Sequence, residues 1–287
     1  MPFVTSETVS SLAVPMLSAE LSLVNTVLQV PSQDVAPPSG GETIIRVPGV
    51  RTANIQPRGG TLSHEAIVET PVPFTVDHVY DSAPLNPHEL TLDIVDFMRQ
   101  VIRPQVRSVA AGAEAQLADV MNGLPAEMPL NPGATDVDYT IAQAVAELDK
   151  AEVPLENRWL AVSPDFAVDL TSSDDKNLTD YQGEVGTEAL RRGIVGEYRG
   201  MVVVKNPRLT GYRALAYHES AFAFGSLRPA ELLGAVDGAV YTEESVQLRH
   251  VYMIDSTTAT TISLVSTFTG ASLVDDNRVV VIGEDAS

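Results

Sequence analysis

Two aspartates of the chain have the surroundings of a catalytic acid pair. Asp81 and Asp255 each follow apolar residues and precede a serine, in the segments Asp81-Ser82-Ala83 and Asp255-Ser256-Thr257. Paired aspartates can share one proton and activate a water molecule, which is the chemistry of acid proteolysis. The glycine that follows Asp-Ser or Asp-Thr in such half-sites is missing from both segments. Turn residues are therefore the favoured interpretation, and acid hydrolysis is the alternative.

Histidines and carboxylates also cluster near the first of these aspartates. Asp77, His78, Asp81, His88 and Glu89 could together hold a metal ion. However, successive residues of a strand point to opposite faces of a sheet, so this spacing separates several of the ligands. The chain has no His-Glu-x-x-His zinc pattern. We therefore expect ordinary polar side chains here, and we expect neither a metal ion nor another cofactor.

Other motifs that carry chemistry are missing. The chain has no Gly-x-x-x-x-Gly-Lys phosphate loop and no Gly-x-Ser-x-Gly nucleophile elbow. The pair Arg191-Arg192 is isolated, which favours a solvated face over an anion site. These observations favour a structural or binding role over catalysis.

The composition excludes several classes of protein. The 287 residues include 38 acidic and 18 basic side chains, which gives a net charge of −20. A chain this acidic has no broad basic surface for phosphates, so we expect no tight binding of nucleic acid. The lack of cysteine excludes disulfides and zinc–cysteine sites. No apolar run approaches about 18 residues, so the sequence predicts no membrane span.

The first 90 residues predict an extended region, because they contain 11 of the 19 prolines. The sequence indicates one short helix around residues 19–28 and a linker over 31–41. Strands are expected at 42–47 and 68–80, and in the second of these the even positions should face a core. Together the two strands predict a long hairpin with an arginine-bearing loop. Because isolated hairpins are marginally stable, another surface must cover it.

The longest helical pattern covers residues 91–122, with apolar residues three and four positions apart. We expect Pro104 to kink this helix. A second helix is predicted at 139–152, and a turn or helix begins at Pro164. A further short helix is predicted at 184–192. Strands are predicted at 158–162, 201–205, 214–217, 246–254, 260–268 and 279–282, and the residues between the fourth and fifth of these form a hairpin turn.

The order of these parts resembles the major capsid protein of tailed bacteriophages, which has the Hong Kong 97-type fold. Residues 89–92, followed by Asp96-Phe97 and Arg103-Pro104, are similar to the start of that family's spine helix. Residues 144–166 (AVAELDKAEVPLENRWLAVSPDF) are similar to a helix, turn and strand of its axial domain. The segment 221–224 (AFAF) with the late hairpin also matches the pattern. The resemblance implies an α+β chain of this fold.

The resemblance implies a division of the chain into an arm, an extended loop and two domains. The N-terminal arm would be residues 1–41, and the extended loop, residues 42–82, would lie over a neighbouring subunit. The peripheral domain would comprise residues 83–135, with the spine helix at 91–122, and residues 235–268. The axial domain would comprise residues 136–234 and 269–287.

The resemblance also implies partners. Copies of the chain would form the hexamers and pentamers of an icosahedral head, together with a portal and a decoration protein. Only about 40 residues precede the hairpin, and some members of the family carry a longer scaffolding segment there, so we expect a separate scaffolding protein. Double-stranded DNA would be enclosed without being tightly bound, and no membrane would be involved.

Five arginines are candidates for contacts between subunits, because they could meet acidic surfaces of neighbouring copies. They are Arg46, Arg51 and Arg58 in the extended loop, and Arg191 and Arg192 in the axial domain. The extended loop has no lysine, since the first lysine of the chain is Lys150. Some members of the family cross-link subunits through a lysine in this loop, so no isopeptide cross-link is expected here.

The sequence thus predicts a structural protein of the virion rather than an enzyme. It would assemble in the bacterial cytoplasm into the head of a tailed phage. An encapsulin-like compartment shell is the nearest alternative. An acid protease using Asp81 and Asp255 is the alternative among enzymes.

Overall fold

The computed structural model describes nine stretches of the chain: residues 5–30, 42–48, 69–85, 97–134, 136–172, 194–230, 235–243, 246–255 and 260–284. Several predicted features lie outside these residues. Among them are the linker over 31–41, the hairpin loop beyond Pro48, the first turns of the long helix before Phe97, and the helix at 184–192.

The N-terminal segment is folded rather than extended. Helix α1 (Ser6–Glu20) begins after Thr5, whose hydroxyl accepts the backbone N–H of Thr8. A 3₁₀ turn (Val24–Thr26) and a short strand β1 (Leu28–Val30) follow. The predicted helix around 19–28 is therefore wrong. Helix α1 buries Val9, Val14 and Leu17 completely or nearly so, and this burial outweighs the unfavourable Pro15 inside the helix.

The predicted hairpin is confirmed at the level of its strands. Strand β2 (Glu42–Pro48) pairs in antiparallel fashion with β3 (Glu69–Thr75). The predicted second strand is divided, because β4 (Asp77–Leu85) begins after Val76 and belongs to another sheet. In β4 the predicted core-facing side is wrong, since Tyr80 is 60% exposed and the odd-numbered Leu85 is buried.

The long helix is confirmed from Phe97 onwards. A π-helical turn (Met98–Ile102) runs directly into helix α2 (Arg103–Asn122). The regular α-helix thus starts next to Pro104, which has no N–H to donate to a carbonyl of the preceding π turn. The π turn lies directly before Pro104, and the kink expected at this proline stays a prediction. Among the described helices, none is long and apolar enough to cross a bilayer.

Two six-stranded sheets organise the rest of the chain. The first contains β1 and β4 together with four later strands, β10 (Phe222–Leu227), β11 (Asp237–Glu243), β12 (Val246–Asp255) and β13 (Thr260–Leu273). Their order is β1-β10-β13-β12-β11, and β4 also pairs with β13, over Thr261–Thr269.

The second sheet contains the strands β5 (Met128–Pro129), β6 (Arg158–Val162), β7 (Ile194–Tyr198), β8 (Met201–Lys205), β9 (Arg213–His218) and β14 (Val279–Gly283). Their order is β5-β14-β9-β6-β8-β7. Helices α3 (Val137–Lys150) and α4 (Pro164–Ser172) share its core. The bounds of β6 and β8 are those predicted from their apolar runs.

The second sheet lies between two apolar cores, and the first sheet shares one of them. Helices α1 and α2 contribute to one apolar cluster with the first sheet, which includes Leu17, Leu117 and Leu248. Helices α3 and α4 form a second cluster with the second sheet, around Ile141 and Phe166. The alternating pattern of each strand decides which face enters a core.

Strand pairing crosses the predicted domain borders. Strand β4 spans the border at residue 82, and β13 continues past residue 268 to Leu273. Strand β10 was placed in the axial domain, yet it pairs with β13 in the first sheet. The N-terminal residues Ser6–Glu20 lie in the core beside the first sheet, so this part of the chain is not an extended arm. The division into named domains stays a proposal.

Candidate assembly surfaces

The two aspartates of the predicted acid pair lie far apart. Asp81 is opposite Val265, and Asp255 is opposite Thr260, on two different strands that both pair with β13. Five residues along β13 and two strand spacings separate their Cα atoms by about 19 Å. The pleat also turns the two side chains to opposite faces of the sheet. They cannot share a proton, so the acid-protease interpretation is wrong.

The predicted cluster of metal ligands is also divided. On strand β4, Asp77 and Asp81 point to one face and His78 points to the other. His88 and Glu89 lie outside the described residues. Within the described parts of the chain, no group of three or more histidine, aspartate or glutamate side chains could hold a metal ion.

The outward face of β4 carries a stack of aromatic rings. The ring of His78 stacks on Tyr80 with centroids 5.1 Å apart and on Phe268 of β13 at 4.5 Å. Partial burial and, second, the positive charge of Arg249 lower the pKa of His78 from its ordinary value. An exposed aromatic group on a sheet is typical of a contact surface.

The opposite face of β4 packs closely on α2. A Cβ atom on Gly112 would lie 2.6 Å from Cγ1 of Val79, which is far inside van der Waals contact. Glycine at this position therefore allows the helix to approach the strand. This contact orients the aromatic stack relative to the long helix.

The strands β2 and β3 form a separate two-stranded sheet. Among the described residues, β2 pairs only with β3. The hydroxyl of Ser272 in β13 donates to the carbonyl of Pro73 at 3.1 Å, which ties β3 to the first sheet. Arg46 lies in β2 opposite Pro71. The other four candidate arginines, Arg51, Arg58, Arg191 and Arg192, lie outside the described residues.

A series of buried hydrogen bonds connects helix α1 to the first sheet and to α2. His250 is fully buried, and its Nδ1 and Nε2 lie 3.1 Å and 3.0 Å from the hydroxyls of Ser6 and Ser263. Ser263 donates in turn to Oε1 of Gln105 in α2 at 3.0 Å. Burial lowers the pKa of His250 to about 4, and the nearby Asp237 opposes this shift. The imidazole is therefore neutral near pH 7.

A second buried hydrogen-bond network connects three parts of the chain through Glu114 of α2. Its carboxylate accepts the backbone N–H groups of Ser22 and Leu23, the latter at 2.8 Å. It also accepts the side-chain amide of Asn206, which follows β8, at 3.1 Å. Asn206 donates to the hydroxyl of Ser22 as well, at 2.9 Å. Glu114 thus links the N-terminal segment and the long helix to the second sheet.

The sequence analysis predicted neither the hydrogen-bond network of His250 nor that of Glu114. Glu114 interrupts an otherwise small and apolar helical face, with Ala110, Ala113 and Leu117 buried around it. That interruption is the only signal in the sequence, and a solvated carboxylate would give the same pattern. The partners of Glu114 lie about 90 residues away on either side, so no local pattern could identify them.

Comparison with known proteins identifies the fold. No protein family model matches the sequence, and no curated protein matches it significantly. A chain of Mycobacterium phage Che8 shares the fold with a TM-score of 0.59 at 21% identity, over 90% of this chain and 89% of that one. The capsid of the cyanophage P-SCSP1u gives 0.58 at 13% identity, over 91% and 87%. The SrpI encapsulin complex of Synechococcus elongatus gives 0.55 at 15% identity, over 92% and 86%.

The fold therefore defines a class of protein. The chain has the mixed α and β architecture of phage capsid subunits, which is the Hong Kong 97-type fold, and an encapsulin shares it. The resemblance drawn from the sequence is confirmed at the level of this fold.

Proposed function

We propose that this chain is the major capsid protein of a tailed phage and assembles into the icosahedral head around double-stranded DNA. The observation that carries the proposal is a fold shared with the P-SCSP1u capsid over 91% of this chain. The shared fold covers nearly the whole chain. This coverage favours a structural role in the virion, without catalysis.

Two features of the chain support assembly with copies of itself. The hairpin of β2 and β3 is a two-stranded sheet, and such hairpins are marginally stable without a further surface. Strand β3 already contacts β13 within the chain, and a neighbouring copy supplies the remaining surface in a shell. The net charge of −20 suits a container for DNA, because an acidic wall does not adsorb the packaged polymer. We expect hexamers, pentamers, a portal, a separate scaffolding protein and a decoration protein as partners, with assembly in the bacterial cytoplasm.

An encapsulin-like compartment is the second candidate, and the similarity to the SrpI encapsulin complex supports it. The two functions differ in what the particle contains. Heads of a phage hold double-stranded DNA, whereas a compartment would hold protein. The ratio of ultraviolet absorbance at 260 and 280 nm in particles purified from producing cells distinguishes the two.

The experiment that tests the proposal is negative-stain electron microscopy of the purified chain after gradient sedimentation. The protein should be imaged alone and after co-expression with its scaffolding partner. Closed shells, tubes or capsomer sheets are the expected result. A protein that stays monomeric under both conditions would refute the shell function.

A further inference from the structure

The described part of the long helical segment carries three arginines along its solvent face. Arg99, Arg103 and Arg107 recur every four residues and are all exposed. In a helix this spacing keeps side chains on about one face, roughly 6 Å apart along the axis. No acidic residue occurs between Phe97 and Ala113, although the chain contains 38 of them. We refer to Arg99, Arg103 and Arg107 as the arginine row.

Several described cations form contacts within the subunit, and Arg99 and Arg107 of the arginine row do so as well. The ion pairs are Arg158 with Asp149 at 2.7 Å, Arg199 with Asp138 at 2.6 Å, Arg278 with Asp275 at 2.9 Å, and Lys150 with Glu147 at 2.7 Å. Arg213 and Arg249 donate to backbone carbonyls. In the described part of the molecule, no other three exposed cations lie so close together in the chain as those of the arginine row.

One contact shows which kind of group the arginine row accepts. Nε of Arg107 donates to a carboxylate oxygen of Glu20, at the end of α1, at 2.8 Å. Both side chains are partly exposed, at 55% and 39%. A guanidinium has five N–H donors in a planar fork that fits a carboxylate, so one such bond leaves most of the group available.

We propose that the arginine row binds carboxylates of a second copy of this chain. The inference rests on the proposed function, since it names a contact within the shell. Two copies that each carry a charge of −20 repel one another, so a contact between them gains most where cations meet carboxylates.

A duplex of DNA fits the arginine row less well than a carboxylate-bearing protein segment does. The row extends about 12 Å along the helix axis. The acidic residue Glu20 bonds Arg107 at one end of the row and is exposed. A duplex would continue past the arginines over acidic surface, whereas a short protein segment can end within the row.

The test reverses two charges of the row and compares a matched control. The variant Arg99→Glu/Arg103→Glu leaves Arg107 and its bond to Glu20 intact. The control Lys205→Glu/Arg228→Glu changes two exposed cations elsewhere and has the same net charge. Sedimentation measures the protein concentration at which half of the chains are assembled. Relative to the control, we expect this concentration to be about tenfold higher for the variant, with the difference shrinking as salt is raised.

Three outcomes would overturn the inference. The first is assembly of the reversed variant at the same concentration as the control. The second is normal assembly with reduced DNA content in the particles, which would assign the row to phosphates. The third is an increase that persists unchanged at high salt. Should the reversed variant lose its near-ultraviolet circular dichroism, the variant Arg99→Gln/Arg103→Gln replaces it and is compared with Lys205→Gln/Arg228→Gln, which has the same net charge. If the unmodified chain never assembles, the proposed function fails as well, whereas the three outcomes above leave it standing.

Discussion

The carboxylate of Glu114 accepts the backbone N–H of Leu23 at 2.8 Å and joins residues that are 91 positions apart in sequence. Glu114 is only 6% exposed, and each oxygen of its carboxylate has a donor from another part of the chain. A buried charge of this kind is stable only while its hydrogen bonds are made. Glu114 is therefore one of the contacts that fix the N-terminal segment and the long helix against the second sheet, together with the bond from Asn206 to Ser22.

Replacing Glu114 by alanine should destabilise the chain strongly. The change leaves the N–H groups of Ser22 and Leu23 and the amide of Asn206 without their acceptor. We expect a loss of about 2–4 kcal/mol in the free energy of unfolding, measured by urea denaturation. The control is Glu147→Ala, because Glu147 is 49% exposed and its partner Lys150 is exposed too, and it should change by less than about 0.5 kcal/mol. Equal losses in the two variants would contradict the assigned role of Glu114.

The approach of α2 to β4 predicts that Gly112→Ala is destabilising, although alanine favours helices. The new methyl group would lie 2.6 Å from Val79, so the helix or the strand must shift, at about 1–3 kcal/mol. The double variant Gly112→Ala/Val79→Ala should recover part of this loss, which a double-mutant cycle in urea measures. Gly123→Ala is a suitable control, since its Cβ would meet neighbouring atoms at no less than 3.4 Å. A stabilising Gly112→Ala would refute the close approach.

The stability of the chain should depend on pH through His250. The pKa of this imidazole is about 4 in the folded chain, against an ordinary value of 6.5, so between these values the unfolded chain binds the additional proton. The stabilisation is fully present above pH 6.5 and is lost as the pH falls towards 4. The whole loss is on the order of 3 kcal/mol.

Unfolding by urea at several values between about pH 7 and pH 4.5 measures this dependence. The variant His250→Gln keeps hydrogen-bonding capacity but cannot titrate, so its stability should fall less steeply over this range. The difference between the two proteins isolates His250 from the carboxylates that also titrate. Parallel curves would show that His250 does not carry the effect.

Charge reversal in the extended loop should impair assembly. The variant Arg46→Glu/Arg51→Glu/Arg58→Glu removes three cations that we propose meet acidic surfaces of neighbouring copies. A single exposed pair contributes about 1 kcal/mol or less, but the contact repeats in every copy. Gradient sedimentation should show fewer shells, while circular dichroism shows a folded subunit. The control Lys150→Glu/Lys205→Glu/Arg228→Glu has the same net charge, and unimpaired shells from the loop variant would reject the contact.

Mature particles should dissociate into single chains on denaturing electrophoresis. The residues from 42 to 82 contain no lysine, so this loop has no amine for an isopeptide bond. We expect one band at the mass of the monomer. A ladder of covalent multimers would show a cross-link formed elsewhere in the chain.

Local patterns in the sequence were sufficient for many elements. The apolar runs at Arg158–Val162 and Met201–Lys205 predicted strands with the observed bounds, because a fully buried strand needs no alternation. The hairpin of β12 and β13 followed from two alternating runs with a short gap between them. The order of these elements was specific enough to indicate the Hong Kong 97-type fold.

Tertiary contacts decided the rest. Helix α1 forms despite Pro15 because the first sheet buries Val9 and Leu17, and this surface comes from strands more than 200 residues later. The face of β4 was also decided by packing, since α2 covers Val79 and leaves Tyr80 exposed. Periodicity in a sequence reports that a face is buried, but only the folded chain determines what buries it. For the same reason, the equivalent motifs around Asp81 and Asp255 suggested a shared site, and the pairing of β13 with both strands separated them.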